Sequence, residues 1–407
     1  MRAESRPPDN TTSAPGAPGD VFSVRGRLLL DGRITQGVVV VAGGRIVEVR
    51  TGDLASNIPT PVKSAHYVSP GLIDLQVNGA FGHEVGADAT ALAALAAALP
   101  ATGVTSFLPT LVSGAVEAYR AGAAALRAAE AAGGARRLGL HLEGPMLSPA
   151  RVGAHDPAAV ARGATALASV LDELIAADVL RIVTIAPERP GALALIRRLR
   201  DAGVVASLGH TDATFEEFVA GADAGASFVT HLYNAMRAFQ HREPGSVGAA
   251  LTDDRLTVGL IADGVHAHPV ALDVALRAKG WEHVALVTDA VSATGRPPGT
   301  YALGGAPIVS DGQAARRLDG TLAGSTLTLD RAVRVMLEHG GAHVGQALSM
   351  ATQVPARLLE REDLGRLAAG CLADLVLWSS SMEVEATYIG GRLAFAAPST
   401  TAKPTAG

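Results

Sequence analysis

Gly209-His210-Thr211-Asp212-Ala213-Thr214, followed by Thr230-His231-Leu232-Tyr233-Asn234-Ala235-Met236, sets the architecture of this chain. Each histidine closes an apolar run, Val204-Val205-Ala206-Ser207-Leu208 for His210 and Phe228-Val229-Thr230 for His231, which marks the C-terminal end of a buried parallel strand. Between them Thr214 and Glu217 have the spacing of a capping box, and a helix runs from Phe215 towards Gly225. The unit is β-α-β with a histidine at the same end of two neighbouring strands. Strands pair at about 4.8 Å, so two imidazoles at that rim can converge on one ion about 2.0–2.1 Å from each nitrogen.

Outward from this unit, apolar runs alternate with alanine-rich helical segments. Strands are predicted at Gly71–Val77, Val104–Leu108, Leu138–Leu142, Leu180–Ile185, Val204–Leu208, Phe228–His231, Thr257–Ile261 and Val284–Thr288, with helices such as Ala91–Leu99, Val116–Ala132 and Ala192–Ala202 in the gaps. Eight such strands in 407 residues predict a (β/α)8 TIM-type barrel plus something smaller. Short strands with Gly-Gly turns flank the barrel region: Val24–Leu30, Gly37–Val41 and Arg45–Val49 before it, then Asp374–Trp378, Val384–Ile389 and Leu393–Phe395 after it. Neither group alone has enough strands to bury a core, so one small β-sandwich built from both chain ends is expected. The expected layout is a disordered tail at 1–20, sandwich at 21–66 and 358–397, barrel at 67–357, and a second tail at 398–407.

In such barrels the polar residues just after the strands gather at one face. Here those residues are Gln76 and Asn78 after strand one, Glu143 after strand three, His210 and His231 after strands five and six, Asp263 and His266 after strand seven, and Asp289 after strand eight. Glu143, His210 and His231 form a carboxylate-plus-two-imidazole set that suits Zn²⁺ or a similar divalent ion and leaves a position for water. A lone histidine in that place is more often a core residue. Three ligand types at the same strand ends shift the balance to a metal site.

Composition narrows the function class. The net charge of −5 and the lack of a basic face argue against nucleic acid, so a small-molecule partner is expected. The single cysteine, Cys371, excludes an intramolecular disulfide and a cysteine-based zinc site, and it reads as a packing residue. No stretch has the apolar length of a membrane span, and no signal segment is evident. A cytoplasmic protein without a membrane partner is expected.

The sequence closely resembles the N-acetylglucosamine-6-phosphate deacetylase family of the amidohydrolase superfamily. The matching stretches are Pro70–Asp74, His141–Pro145, Gly153–His155, Ala186–Glu188, Gly209-His210, Thr230–Met236, Arg242–Gly245, Asp263–His266, Thr288–Ala290 and Leu322–Ser325, in order along the chain. The resemblance implies a barrel carrying a sandwich made from both ends. It implies one divalent metal per subunit on Glu143, His210 and His231, with zinc first and iron, cobalt or manganese as alternatives. Asp289 would be the general base that becomes the general acid. The metal would supply a nucleophilic water near neutral pH.

Phosphate-holding positions of the family fall on Asn234, the Ala235 backbone, Arg242 and His266, and a sugar-hydroxyl contact falls on His155. In the family this arginine reaches the phosphate of the neighbouring subunit, which implies a homodimer. Many amidohydrolases hold a second metal on His-x-His after strand one, and some members of this family do the same. Here that pair is Gln76 and Asn78, poor ligands for zinc-like ions, and strand four carries no lysine to bridge two metals. The expected site is therefore mononuclear. The alternatives are a deacetylase of another amino-sugar phosphate, such as the galactosamine epimer, a cyclic-amide hydrolase, or a sugar-phosphate sensor without catalysis.

Overall fold

The structure, a computed structural model, describes residues 21–52, 58, 61–129 and 134–398. The tails expected at 1–20 and 398–407 lie outside the described residues, apart from residue 398, as does the end of the helix expected to reach Ala132.

Eight parallel strands form the barrel wall: Leu72–Val77, Val104–Val112, Leu140–Glu143, Leu180–Ile185, Val205–Leu208, Phe228–Val229, Thr257–Leu260 and Val284–Leu286. They are hydrogen-bonded neighbours in chain order. A parallel bridge between Val77 and Ala290 closes the ring. The strands are almost wholly buried, because helices cover the outside and side chains fill the inside. The helix between strands five and six runs from Phe215 to Ala224. Thr214 and Glu217 cap it reciprocally (2.8 and 3.2 Å), and Gly225, at φ +115°, ends it.

Both chain ends build one seven-stranded mixed sheet. Phe22–Leu30, Arg33–Ala42, Arg45–Thr51 and Val62–Pro70 come from the front, and Leu375–Trp378, Val384–Ile389 and Arg392–Ala396 from the back. The strand Val62–Pro70, absent from the pattern reading, joins the two groups and leads straight into the first barrel strand. The sheet is a single hydrogen-bonded path that curls over its own core. Phe22 packs on Tyr388 at 5.3 Å between ring centroids, although two strands separate theirs in the sheet. Val24, Val39, Val41, Leu375, Leu377 and Cys371 fill the space inside. The cysteine is thus a packing residue, as expected.

A second sheet was not legible in the apolar pattern. Gly299–Leu303, Ala306–Ser310, Ala314–Arg316 and Leu322–Ser325 form a four-stranded antiparallel sheet between the eighth strand and the helix Leu329–Glu338. Its inner side, Leu303, Ile308, Ala315 and Ala323, packs with Val291 and Ala293 and against Val112 and Ala154, so it covers one side of the barrel mouth.

Trp378 joins the end sheet to the barrel. It is fully buried in the main core, and its indole N–H donates to Ser69 Oγ at 2.9 Å. Trp378→Ala is predicted to cost about 3–5 kcal/mol in denaturant unfolding. A loss below about 1 kcal/mol would show that the two parts do not depend on this contact.

Candidate metal and ligand site

The strand ends deliver their side chains to one cavity of about 350 Å³ at the C-terminal mouth of the barrel. Glu143, His155, His210, His231, Asn234, Ala235, His266, Asn78 and Asp289 all line it. Glu143 closes strand three directly, while His210 and His231 each stand two residues past their strand with φ of +47° and +29°. Left-handed backbone at non-glycine residues costs about 1–3 kcal/mol each and persists where the surroundings impose it. Here the imposition turns both imidazoles inward.

Three atoms meet at the centre. His231 Nε2 is 2.9 Å and His210 Nε2 3.2 Å from Glu143 Oε1, and the two nitrogens are 3.1 Å apart. The edge of a tetrahedron with bonds of 2.0–2.1 Å is about 3.3 Å, so these atoms are spaced as three corners of a zinc-type site. Their chemistry agrees. The His210 Nδ1–H donates to the Arg151 carbonyl at 2.9 Å, which leaves Nε2 with a lone pair. His231 Nδ1 is buried without a partner. Glu143 stays well below the usual carboxylate range: burial raises it, but the imidazoles of His210 and His231 beside it outweigh that. A convergence of lone pairs is stable only around a cation.

His155 also stands close, with donor atoms of Glu143, His155 and His210 all within 4.8 Å of one another. Its Nδ1 accepts the Ser113 backbone N–H at 3.1 Å, so in the neutral ring the hydrogen sits on Nε2. Burial first, and then the nearby His210, push its pKa down to about 3, which keeps the ring neutral. A nitrogen bearing hydrogen cannot ligate. His155 is built to donate into the cavity, and of the two possible third ligands His231 fits the ion better.

Gln76 and Asn78 occupy the space between the two carboxylates. Gln76 Nε2 donates to Glu143 Oε1 and Asp289 Oδ1, both at 3.0 Å, and Asn78 Nδ2 donates to Asp289 Oδ1 at 2.6 Å. Carboxylates only accept, which fixes the amide orientation and leaves the buried amide oxygens without partners. Neutral N–H groups thus stand where a second cation would need ligands. Asp289 itself is driven above the ordinary carboxylate range, by burial first and the charge of Glu143 second. A divalent cation beside Glu143 acts in the opposite sense.

The loop after strand six lines the cavity next to His231. His231, Tyr233 and Ala235 take left-handed φ values (+29°, +79°, +50°), a backbone of the kind that can turn N–H groups towards an anion, although the Leu232 and Asn234 N–H groups already donate to the Gly259 and His231 carbonyls at 2.8 and 3.0 Å. Asn234 is tied to this backbone through its own amide, at 3.3 and 3.2 Å. His266 Nδ1 is bound to Asp263 Oδ2 at 2.6 Å. Asp263 is buried, which raises it, yet the His266 hydrogen bond holds it below its usual range.

Arg242 is placed differently. It is exposed at the tip of a tight turn closed between Gln240 and Glu243, and it does not line the cavity of its own chain. Sequence reasoning missed Arg151, which does line it, and also Leu303 of the second sheet and Thr321 just before its last strand. The Gly304-Gly305 turn signalled the sheet, whereas nothing around Arg151 sets it apart in the sequence.

Comparison with known proteins follows the same lines. The amidohydrolase family profile matches residues 67–394. The chain is 37% identical over 373 residues to an N-acetylglucosamine-6-phosphate deacetylase of Bacillus subtilis (strain 168), covering 89% of this chain and 93% of the relative. It is 40% identical over 358 residues to an N-acetylgalactosamine-6-phosphate deacetylase of Escherichia coli O157:H7, covering 86% and 94%. This chain belongs to the N-acetylglucosamine-6-phosphate deacetylase group of the amidohydrolase family. A solved structure of the corresponding Mycobacterium smegmatis deacetylase, a variant in complex with N-acetyl-D-glucosamine-6-phosphate, superposes with a TM-score of 0.85 at 35% identity, covering 92% of this chain and 100% of that one. Among the described residues no helix is long and apolar enough to cross a membrane.

The spacing of the three donor atoms predicts one tightly held divalent ion per chain. Titration calorimetry should give one equivalent, weakened by about 10- to 100-fold or more in His210→Ala and His231→Ala. Two equivalents that both resist dialysis would refute the single-ion site.

Proposed function

We propose that this amidohydrolase removes the acetyl group from N-acetyl-D-glucosamine 6-phosphate, giving D-glucosamine 6-phosphate and acetate in amino-sugar metabolism. The observation that carries the reading is the meeting of Glu143, His210 and His231 near Asp289, in a cavity that Asn234, Ala235 and His266 also line. Glu143, His210 and His231 hold the ion. Zinc fits this donor set best, and iron, cobalt and manganese are its alternatives. When bound there, a divalent ion would supply Lewis-acid polarisation of the acetamide carbonyl and a lowered pKa for water.

The chain's own residues do the rest. Asp289 removes a proton from the attacking water as its oxygen bonds to the carbonyl carbon. It then returns that proton to the sugar nitrogen as the C–N bond breaks. Asn78 and Gln76 orient its carboxylate and favour its ionised form. His155 donates to sugar hydroxyls. Asn234, the Ala235 backbone and His266 take the phosphate. The relative named for the galactosamine epimer supports a second reading, the N-acetylgalactosamine 6-phosphate substrate, for the same machinery. Acetate release from both epimers, with and without chelator, decides between them. No acetate from either would overturn the reaction.

Arg242 points to a homodimer. Phe239 on its own loop is 58% exposed, an apolar side chain that a second copy would cover. A second copy covering that side would bring Arg242 to the neighbouring phosphate, and the compartment in keeping with one buried free thiol is the cytoplasm.

Two variants test these roles. Asp289→Asn should keep fold and metal while kcat falls about 10²- to 10⁴-fold, because the amide cannot accept the proton. Near wild-type turnover in the metal-loaded variant would remove Asp289 from the chemistry. Arg242→Ala should raise KM about 10- to 150-fold. Mixed with Asp289→Asn chains, it should regain activity through heterodimers that contain one intact site. A fully active monomer, or no recovery after subunit exchange, would place Arg242 outside the neighbouring site.

A further inference from the structure

Arg151 is the only lysine or arginine among the residues that line the cavity. It reaches the mouth from the short 3-10 turn Pro149–Arg151, and its backbone carbonyl receives the His210 Nδ1–H. Its guanidinium is held on one edge. Nε at 2.9 Å and Nη2 at 2.8 Å both bind Oδ1 of Asp212, which leaves Nη1 with no partner among the described residues. A planar guanidinium gripped on one edge presents its remaining donors in a fixed direction.

Asp212 is itself fixed. Its N–H donates to Glu188 Oε1 at 2.8 Å, and the neighbouring Thr211 hydroxyl donates to Glu188 Oε2 at 2.6 Å. Thr211 also binds the strand-six loop: its N–H donates to the Ala235 carbonyl at 3.0 Å, and its carbonyl accepts from Arg237 N–H at 3.1 Å. The anchor of Arg151 is therefore built onto the backbone of the strand-six loop. A phosphate monoester carries close to two charges at neutral pH, and backbone N–H groups of the strand-six loop are neutral donors. The arginine that lines the cavity is the one that Asp212 holds.

We propose that Arg151 is a substrate-binding residue that donates from Nη1 to a phosphate oxygen of the ligand, and that Asp212 is the positioning residue that aims it. The inference rests on the phosphorylated substrate proposed above. It adds a cation from the same chain to the one Arg242 supplies from the other.

The test compares kcat/KM for N-acetylglucosamine 6-phosphate and for unphosphorylated N-acetylglucosamine, together with calorimetric binding of glucosamine 6-phosphate to the metal-loaded full chain. Arg151→Ala should lower kcat/KM for the phosphorylated substrate and weaken glucosamine 6-phosphate binding, each by about 10- to 100-fold. The unphosphorylated substrate should change less than about threefold, with one equivalent of metal retained. Arg151→Lys should recover part of the loss, and Asp212→Asn should show a smaller loss in the same direction. Equal losses on both substrates, loss of the metal, or no loss at all would each overturn the proposal. If the wild-type chain releases no acetate, the reaction reading fails by itself, and glucosamine 6-phosphate binding still decides the role of Arg151.

Discussion

A parallel barrel closes only if its first strand pairs with its last, and here buried polar groups make that seam. Asp74 accepts the Thr288 hydroxyl at 2.7 Å and the Thr288 and Gln76 N–H groups at 3.2 and 3.3 Å. Two residues further on, Asp289 N–H donates to the Gln76 carbonyl at 2.9 Å, and the Val77–Ala290 bridge completes the ring. Burial pushes Asp74 up to about 6, with the Thr288 bonds opposing it. The same few residues place Gln76, Asn78 and Asp289 side by side. Barrel closure and the position of the proposed base are thus one structural event.

That seam sets the electrostatics of the mouth. Asp74, Glu143 and Asp289 are three buried carboxylates, and isolated burial of ionised groups is costly. Each is stabilised differently. Asp74 takes hydroxyl and backbone donors, Glu143 takes the Gln76 amide and shares its place with two imidazoles that can hold a cation with it, and Asp289 takes two amides. Imidazoles at Gln76 and Asn78 would have favoured a second cation. Neutral amides meet the same carboxylates as donors without recruiting one.

Much of this was legible in the sequence because the relevant signals are local. Buried parallel strands read as apolar runs, and six of the eight expected strands start within one residue of the observed first residue and overlap it throughout, with Leu180–Ile185 matching at both ends. The capping box at Thr214 and Glu217 read correctly for the same reason. The losses have physical causes as well. The sheet over the mouth has short strands with only alternate apolar positions, such as Leu303, Ile308 and Ala315, and Gly-Gly turns common to any loop. Val62–Pro70 mixes Lys63, Ser64 and His66 with Val62 and Ala65 and has no buried residue before Val68, so it shows no continuous apolar run. His141 stood in the same motif as Glu143, yet it is a core residue. Its Nδ1 faces the Leu75 carbonyl at 3.0 Å and its Nε2 the Thr184 hydroxyl at 2.8 Å, and burial lowers it to about 4.

Arg151 shows where sequence reading ends. Its neighbours in sequence, Pro149-Ala150 and Val152-Gly153, signal only a turn. Its role comes from Asp212, 61 positions away, and Asp212 is held by Glu188 from a third loop. The close approach of that turn needs Gly153, at φ +58°, where a Cβ would stand 3.1 Å from the His210 ring. The loops after strands three to six therefore share one hydrogen-bonded frame: Arg151 accepts from His210, Glu188 holds Thr211 and Asp212, and Thr211 binds Ala235. A shift in any of them moves a proposed metal ligand and the strand-six loop together. For a reaction that holds a phosphate and breaks an amide, such a frame keeps the two ends of the ligand in fixed register.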